Sequence, residues 1–146
     1  MKTAFIFLTL ALLVTSCQES KTTQTHSKIF KDLKSKTSFL ERYLNVQGKT
    51  FEKLDYYINF HDNSGGMVPA PNEWDICLIA VVPKEDLGLW IKDLEKLETA
   101  PDTARFEIVT TDIDYSSVNE WYQKSTNSYL GISREKNIIL YSSQKY

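Results

Sequence analysis

From position 28 onward the apolar residues recur in two different rhythms. Ile29, Phe30, Leu33, Leu40, Tyr43 and Leu44 return at three-to-four spacing, which predicts an amphipathic helix over 28–45, broken near 35–38, with Gly48 as its stop. Leu54, Tyr56, Ile58 and Phe60 then alternate with Asp55, Tyr57, Asn59 and His61, the pattern of a half-buried strand with His61 on its wetter face. Trp74, Ile76, Leu78, Ala80 and Val82 alternate with Cys77, Ile79 and Val81. Both sets are apolar, so this strand is expected in the middle of a sheet. Pro83, Glu85 and Asp86 have the chemistry of a helix N-terminus, and Leu87, Trp90, Ile91, Leu94 and Leu97 give that helix one apolar stripe ending before Pro101. Phe106, Ile108 and Thr110 predict a third strand over 106–110. Ser117-Val118-Asn119-Glu120 resembles a capping box and predicts a short helix carrying Trp121 and Tyr122. The segments 129–133 and 138–142, separated by Arg134-Glu135-Lys136-Asn137, read as a C-terminal hairpin. Together these elements predict an α+β fold: an antiparallel or mixed sheet of about five strands, with an N-terminal and a central helix packed on one face.

The segment 61–75 interrupts this regularity. Hairpin loops usually run to about 2–5 residues, and structureless loops beyond about 12–15 tend to be functional. Asp62, Asn63, Ser64, Gly65 and Gly66 supply turn chemistry, while Met67, Val68, Pro69, Ala70 and Pro71 favour an extended path. This predicts a binding loop formed by Asp62, Asn63, Ser64, Gly65, Gly66, Met67, Val68, Pro69 and Trp74, although the alternation of Trp74 with the following strand also suits core packing. A calcium-loop reading that starts at Asp62 places Ser64 third and Glu73 twelfth, but it puts Met67 where the turn glycine must stand. Gly65-Gly66 lacks the following lysine and helix of a phosphate loop. A hydrolytic set would have to come from His61, Asp62, Ser64 or Glu73, and Asp62 is badly placed to orient its immediate neighbour. No catalytic residue, cofactor or metal ligand is therefore assigned, and His61 is read as a polar strand-end residue.

Ahead of position 28 the chain has another grammar. Lys2 precedes an apolar run over 4–14 interrupted only by Thr9, and Val14-Thr15-Ser16-Cys17 follows. The run is shorter than the about 20 residues a spanning helix needs and has the layout of a secretory signal. The four residues resemble the lipobox of bacterial lipoproteins. That resemblance implies cleavage before Cys17, acylation of its thiol with lipids such as palmitate, and membrane attachment through several acyl chains, each buried methylene contributing about 0.8 kcal/mol. Gln18 in place of an aspartate resembles lipoproteins sent to the outer membrane, facing the periplasm. The division expected is a signal peptide over 1–16, a lipidated cysteine and flexible tether over 17–27, and a single domain over 28–146. The tether is inferred because residues 18–27 contain no aliphatic or aromatic side chain with which to form a core.

Charge and cysteine content narrow the functional classes. The net charge of −2 conceals +3 over 18–60, −9 over 61–120 and +3 over 121–146. Such an acidic middle argues against nucleic acid and suits a basic protein partner, unless the carboxylates are simply spread over a soluble surface. With Cys17 lipidated, Cys77 has no disulfide partner and sits in the most apolar stretch after the leader, where a buried thiol is expected. These features predict a membrane-anchored envelope protein that acts as a protein-binding module, such as an inhibitor or immunity-type antagonist of an envelope hydrolase. The alternatives are a structural or housekeeping lipoprotein and, less favoured by the motifs, a small envelope enzyme using His61 and Asp62.

Overall fold

The alternating residues of 53–62 and 73–81 build the centre of a seven-stranded antiparallel sheet. The computed structural model describes residues 21–65 and 70–146. The leader, the Val14-Thr15-Ser16-Cys17 motif, and Gly66, Met67, Val68 and Pro69 of the loop lie outside the described residues. The strands are β1 (Lys21–His26), β2 (Lys53–Asp62), β3 (Glu73–Val81), β4 (Glu95–Leu97), β5 (Glu120–Ser125), β6 (Ser128–Ser133) and β7 (Ile138–Lys145). Their order across the sheet is β1-β2-β3-β7-β6-β5-β4. Among the described residues two short helices, α1 (Leu33–Leu40) and α2 (Leu87–Ile91), accompany the sheet, in keeping with an α+β fold.

β3 is apolar on both faces because both are covered. Ile76, Leu78, Ala80 and Val82 join the core under the helices, together with Leu40, Leu87 and Trp90. Cys77 and Ile79 join a second core on the opposite face, closed by Phe106, Val109 and Ile113. Leu78 and Ile79 are both 0% exposed, and burying each such side chain contributes about 1.5–3 kcal/mol. Both helices pack on the first face, hereafter the helix face. The C-terminal hairpin is present, its four-residue turn closed by Asn137 in the left-handed region (φ 54°), which asparagine tolerates.

The expected five strands become seven, and the differences have physical reasons. Residues 21–26, expected within the tether, form edge strand β1. An edge strand needs little apolar surface of its own when its neighbour supplies the ladder. Three threonines suit extended backbone, and Lys21 lies opposite Asp62. The N-terminal helix shrinks to α1, capped by Asp32, whose carboxylate accepts from the Ser35 N–H at 2.8 Å. Before it, Ser27–Ile29 is a 3-10 turn that leaves Ile29 69% exposed.

The central helix also ends early. Leu87, Trp90, Ile91 and Leu94 pack on the helix face, but Leu97 packs into the opposite core. One helical stripe cannot serve both faces. The chain instead reverses at Asp93 (φ 62°) and runs along the sheet edge as β4. The strand predicted over 106–110 is the 3-10 turn Ala104–Ile108, in which Phe106 and Val109, three apart, are buried while Ile108 is exposed. The short helix predicted around Trp121 and Tyr122 is β5. These neighbours are buried in opposite cores, which requires a period of two. Its presumed cap is used otherwise: Ser117 Oγ bonds Ser133 Oγ at 2.8 Å, and Glu120 binds Arg134.

Candidate functional site

Residues 104–118 cover only part of the face opposite the helices. Beneath them lie Ile79, Leu140 and Trp121; beyond them the same face turns polar. Strand register sets that region out in rows. Thr22, His61 and Glu73 form one, Gln24, Asn59, Asp75 and Gln144 a second, and His26, Tyr57, Cys77 and Ser142 a third against the covered edge. Alternation along each strand brings all of them to one face. Both histidines of the chain are therefore on this surface, although they lie 35 positions apart in the sequence.

Its side chains are held by one another. His61 Nε2 lies 3.1 Å from Asn59 Nδ2, and His61 Nδ1 lies 2.8 Å from Thr22 Oγ1. Both ring nitrogens of His61 are therefore engaged by neighbouring side chains. The His26 ring packs on Tyr57 with centroids 4.8 Å apart, while His26 Nδ1 and Asn59 Oδ1 are buried without protein partners among the described residues. Arg105, carried by the 3-10 turn at the boundary of the cover, donates from Nη2 to Asp75 Oδ1 at 2.5 Å. Burial pushes the Tyr57 phenol up, and the nearby Asp75 carboxylate adds to that shift. The Cys77 thiol is also pushed up, chiefly by burial and against the opposing effect of Arg105. At the loop end, His61, Asn59, Glu73, Asp75 and Gln144 line an open cleft of about 220 Å³. Amides, an imidazole and carboxylates here present donors and acceptors side by side, suited to hydrogen-bonding a polar macromolecular surface.

The loop predicted from sequence rises from this end, but its residues divide. β2 extends through Asp62 and β3 begins at Glu73, so the connection is narrower than the span 61–75. Its base is closed by Asn63, whose N–H donates to Asn72 Oδ1 at 2.9 Å and whose Nδ2 donates to the Pro71 carbonyl at 3.0 Å. Asp62 Oδ1 accepts from the Ser64 N–H and hydroxyl, and those bonds lower its pKa. Gly65 is half-buried. Trp74 alternates onto the helix face, half-buried against that core, with the Lys145 ammonium 4.4 Å from its ring. His61 and Glu73 alternate onto the open face instead.

This alternation also bears on the hydrolytic set. Asp62 points to the opposite side of β2 from His61, Ser64 is bonded to Asp62, and the two His61 nitrogens are engaged by Thr22 and Asn59. His61 is therefore not hydrogen-bonded to Ser64, whose hydroxyl donates to Asp62 Oδ1 instead. Among the described residues no group of three His, Cys, Asp or Glu is placed to hold a metal, and no helix is long and apolar enough to cross a membrane.

The acidic middle is distributed over many elements. Asp75 pairs with Arg105, Asp114 with Lys136, and Glu120 with Arg134 and Lys96. Sequence reading placed His61, Glu73 and Asp75 near the site, within the segment 61–75, but missed Gln24, His26, Arg105 and Gln144. Polar alternation in β2 was a usable signal. Nothing local reveals that the last residues of β7 complete the row. Compared with known proteins, the chain matches no family model, no curated protein and no solved structure.

Proposed function

We propose that this chain is a lipid-anchored protein of the bacterial envelope that binds a protein partner through the uncovered polar half of its sheet, as an inhibitor or immunity-type antagonist of an envelope hydrolase does. The anchoring part rests on the resemblance of Val14-Thr15-Ser16-Cys17 to a lipobox. The binding part rests chiefly on one observation: the sheet face left open beyond residues 104–118 is an ordered array of amide, imidazole and carboxylate groups, centred on His61, Asn59, Asp75 and Gln144. A lipid on Cys17 would hold that face, whose edge strand begins at Lys21, close to the membrane and to partners found there.

Two experiments test the two parts. Metabolic labelling with an alkyne fatty acid should mark the wild-type chain, and Cys17→Ser should abolish both the label and membrane fractionation; a labelled Cys17→Ser chain contradicts the anchor. Photo-crosslinkers placed at Gln24 or Gln144 should capture one identified envelope protein, whereas crosslinkers at Glu41 or Glu107 should not. Equal capture from all four positions contradicts the assigned face.

A further inference from the structure

A second site lies on the helix face, away from the polar surface, where three lysines border an apolar pocket. Lys49, Lys92 and Lys124 line a pocket of about 110 Å³ whose walls include Leu44, Leu94, Trp90 and Tyr141. Each lysine is delivered by an irregular piece of backbone. Gly48, in the left-handed region (φ 75°), turns the chain so that the Lys49 ammonium lies 4.2 Å from the centroid of the Trp90 ring. Asp93, also left-handed (φ 62°), reverses the chain directly after Lys92. Lys124 is the residue at which the β5–β6 register slips, between Gln123 and Ser125, and such bulges re-aim a side chain.

The charges gathered there are uncompensated. Among the described residues none of the three lysines makes an ion pair, although five ion pairs form elsewhere. Trp90 is 5% exposed, and its indole N–H is buried without an acceptor. Burial lowers the Lys49 pKa, and the nearby charge of Lys124 lowers it further. Two coupled ammonium groups, Lys49 and Lys124, beside leucine walls suit an anion that carries an apolar body. The volume is below the roughly 150 Å³ cavity that holds benzene, so that body is short, about three to five carbons.

We propose that this pocket binds a small organic carboxylate, with Lys49, Lys92 and Lys124 receiving the carboxylate and Leu44, Leu89 and Leu94 covering its tail. The proposal is independent of the partner surface on the opposite face.

The test is an NMR titration of the full chain with pentanoate, following the Trp90 indole N–H, with acetate and pentanol as comparators. Pentanoate should saturate with a Kd near about 1 mM, and both comparators should bind at least about tenfold more weakly. Lys49→Gln and Lys124→Gln should each weaken binding about fivefold or more, whereas Lys28→Gln, an exposed lysine elsewhere, should leave it unchanged. Lys124 is exposed at a bulge, so its replacement reads binding even if Lys49→Gln fails to fold. The proposal is overturned if pentanol or acetate matches pentanoate, if Lys28→Gln weakens binding as much as Lys124→Gln, or if pentanoate fails to saturate at concentrations about fiftyfold above the expected Kd.

Discussion

Gly131 lies in β6 under the cover of the second face, where a single added methyl reports whether that cover is packed as described. A Cβ built at this position would lie 2.7 Å from Trp121 Cζ3, 2.8 Å from Trp121 Cη2 and 2.8 Å from Val118 Cγ1. Carbon atoms in good contact are about 3.5–4.0 Å apart, so Gly131→Ala must push two side chains back by about 1 Å. Trp121 is 6% exposed and belongs to the core that contains Phe106 and Val109, which leaves it little room to move. Overpacking of this kind costs about 1–3 kcal/mol. Alanine also restricts the unfolded chain, which offsets about 0.4–1 kcal/mol. The net expectation is a loss of about 1–2 kcal/mol. In urea, where small proteins lose about 1–3 kcal/mol per molar, the midpoint should fall by roughly 0.5–1 M. A double-mutant cycle with Val118→Ala should show a coupling of about 0.5 kcal/mol or more, because the methyl and the valine compete for the same space. An unchanged or raised midpoint for Gly131→Ala would refute the packing of residues 104–118 against β5 and β6, and with it the division of that face into covered and open halves.

Three further outcomes follow from other contacts. Asp55 accepts from Lys36 at 2.8 Å, Ser27 at 3.0 Å and Thr111 at 2.8 Å, tying α1 and the segments on both sides of the sheet to β2, so Asp55→Ala should cost about 1.5–3 kcal/mol by thermal unfolding. Glu120 is held below the usual carboxylate range, first by its bond from Arg134 and then by Tyr122. Its folded pKa is lower than its unfolded one, so the associated stability is present above the unfolded pKa and lost as pH falls through the folded value. Glu120→Gln should therefore flatten the loss of stability on acidification below about pH 5, as read by urea unfolding at a series of pH values. Hydrogen exchange should find alternate amides of β1 protected by their ladder to β2, whereas a free leash over 21–26 would exchange at the intrinsic rate throughout.

The parts of the fold legible in the sequence are those in which one face decides a residue's fate. In β2 and β3 the alternation of Leu54, Tyr56 and Ile58, and of Ile76, Leu78 and Ala80, assigns both strand identity and core face, because those residues meet the helices while their neighbours meet the opposite side. The hairpin of β6 and β7 is equally plain, with a turn that needs its asparagine. Legibility failed where burial on two faces mimics another period. Leu94 and Leu97 look like one helical stripe but serve opposite cores, and Trp121 and Tyr122 look like helix residues for the same reason. It failed also at β1, where composition understates what an existing sheet edge can hold. The polar surface was only half visible. His61 and Glu73 flank the conspicuous loop, but their partners Thr22, Asn59 and Gln144 arrive through strand pairing between segments far apart in the chain.

On the proposed function, the open polar half of the sheet is the surface through which this protein meets its partner. The most direct measurement is the affinity of the crosslinked envelope protein, once identified, for chains carrying a single bulky charge. Gln24→Arg and Gln144→Arg, on the open face, should each weaken binding by about tenfold or more, which corresponds to about 1.4 kcal/mol, while Glu41→Arg, at the end of α1, should leave affinity unchanged. Equal affinities for all three variants, or a loss confined to Glu41→Arg, would contradict it.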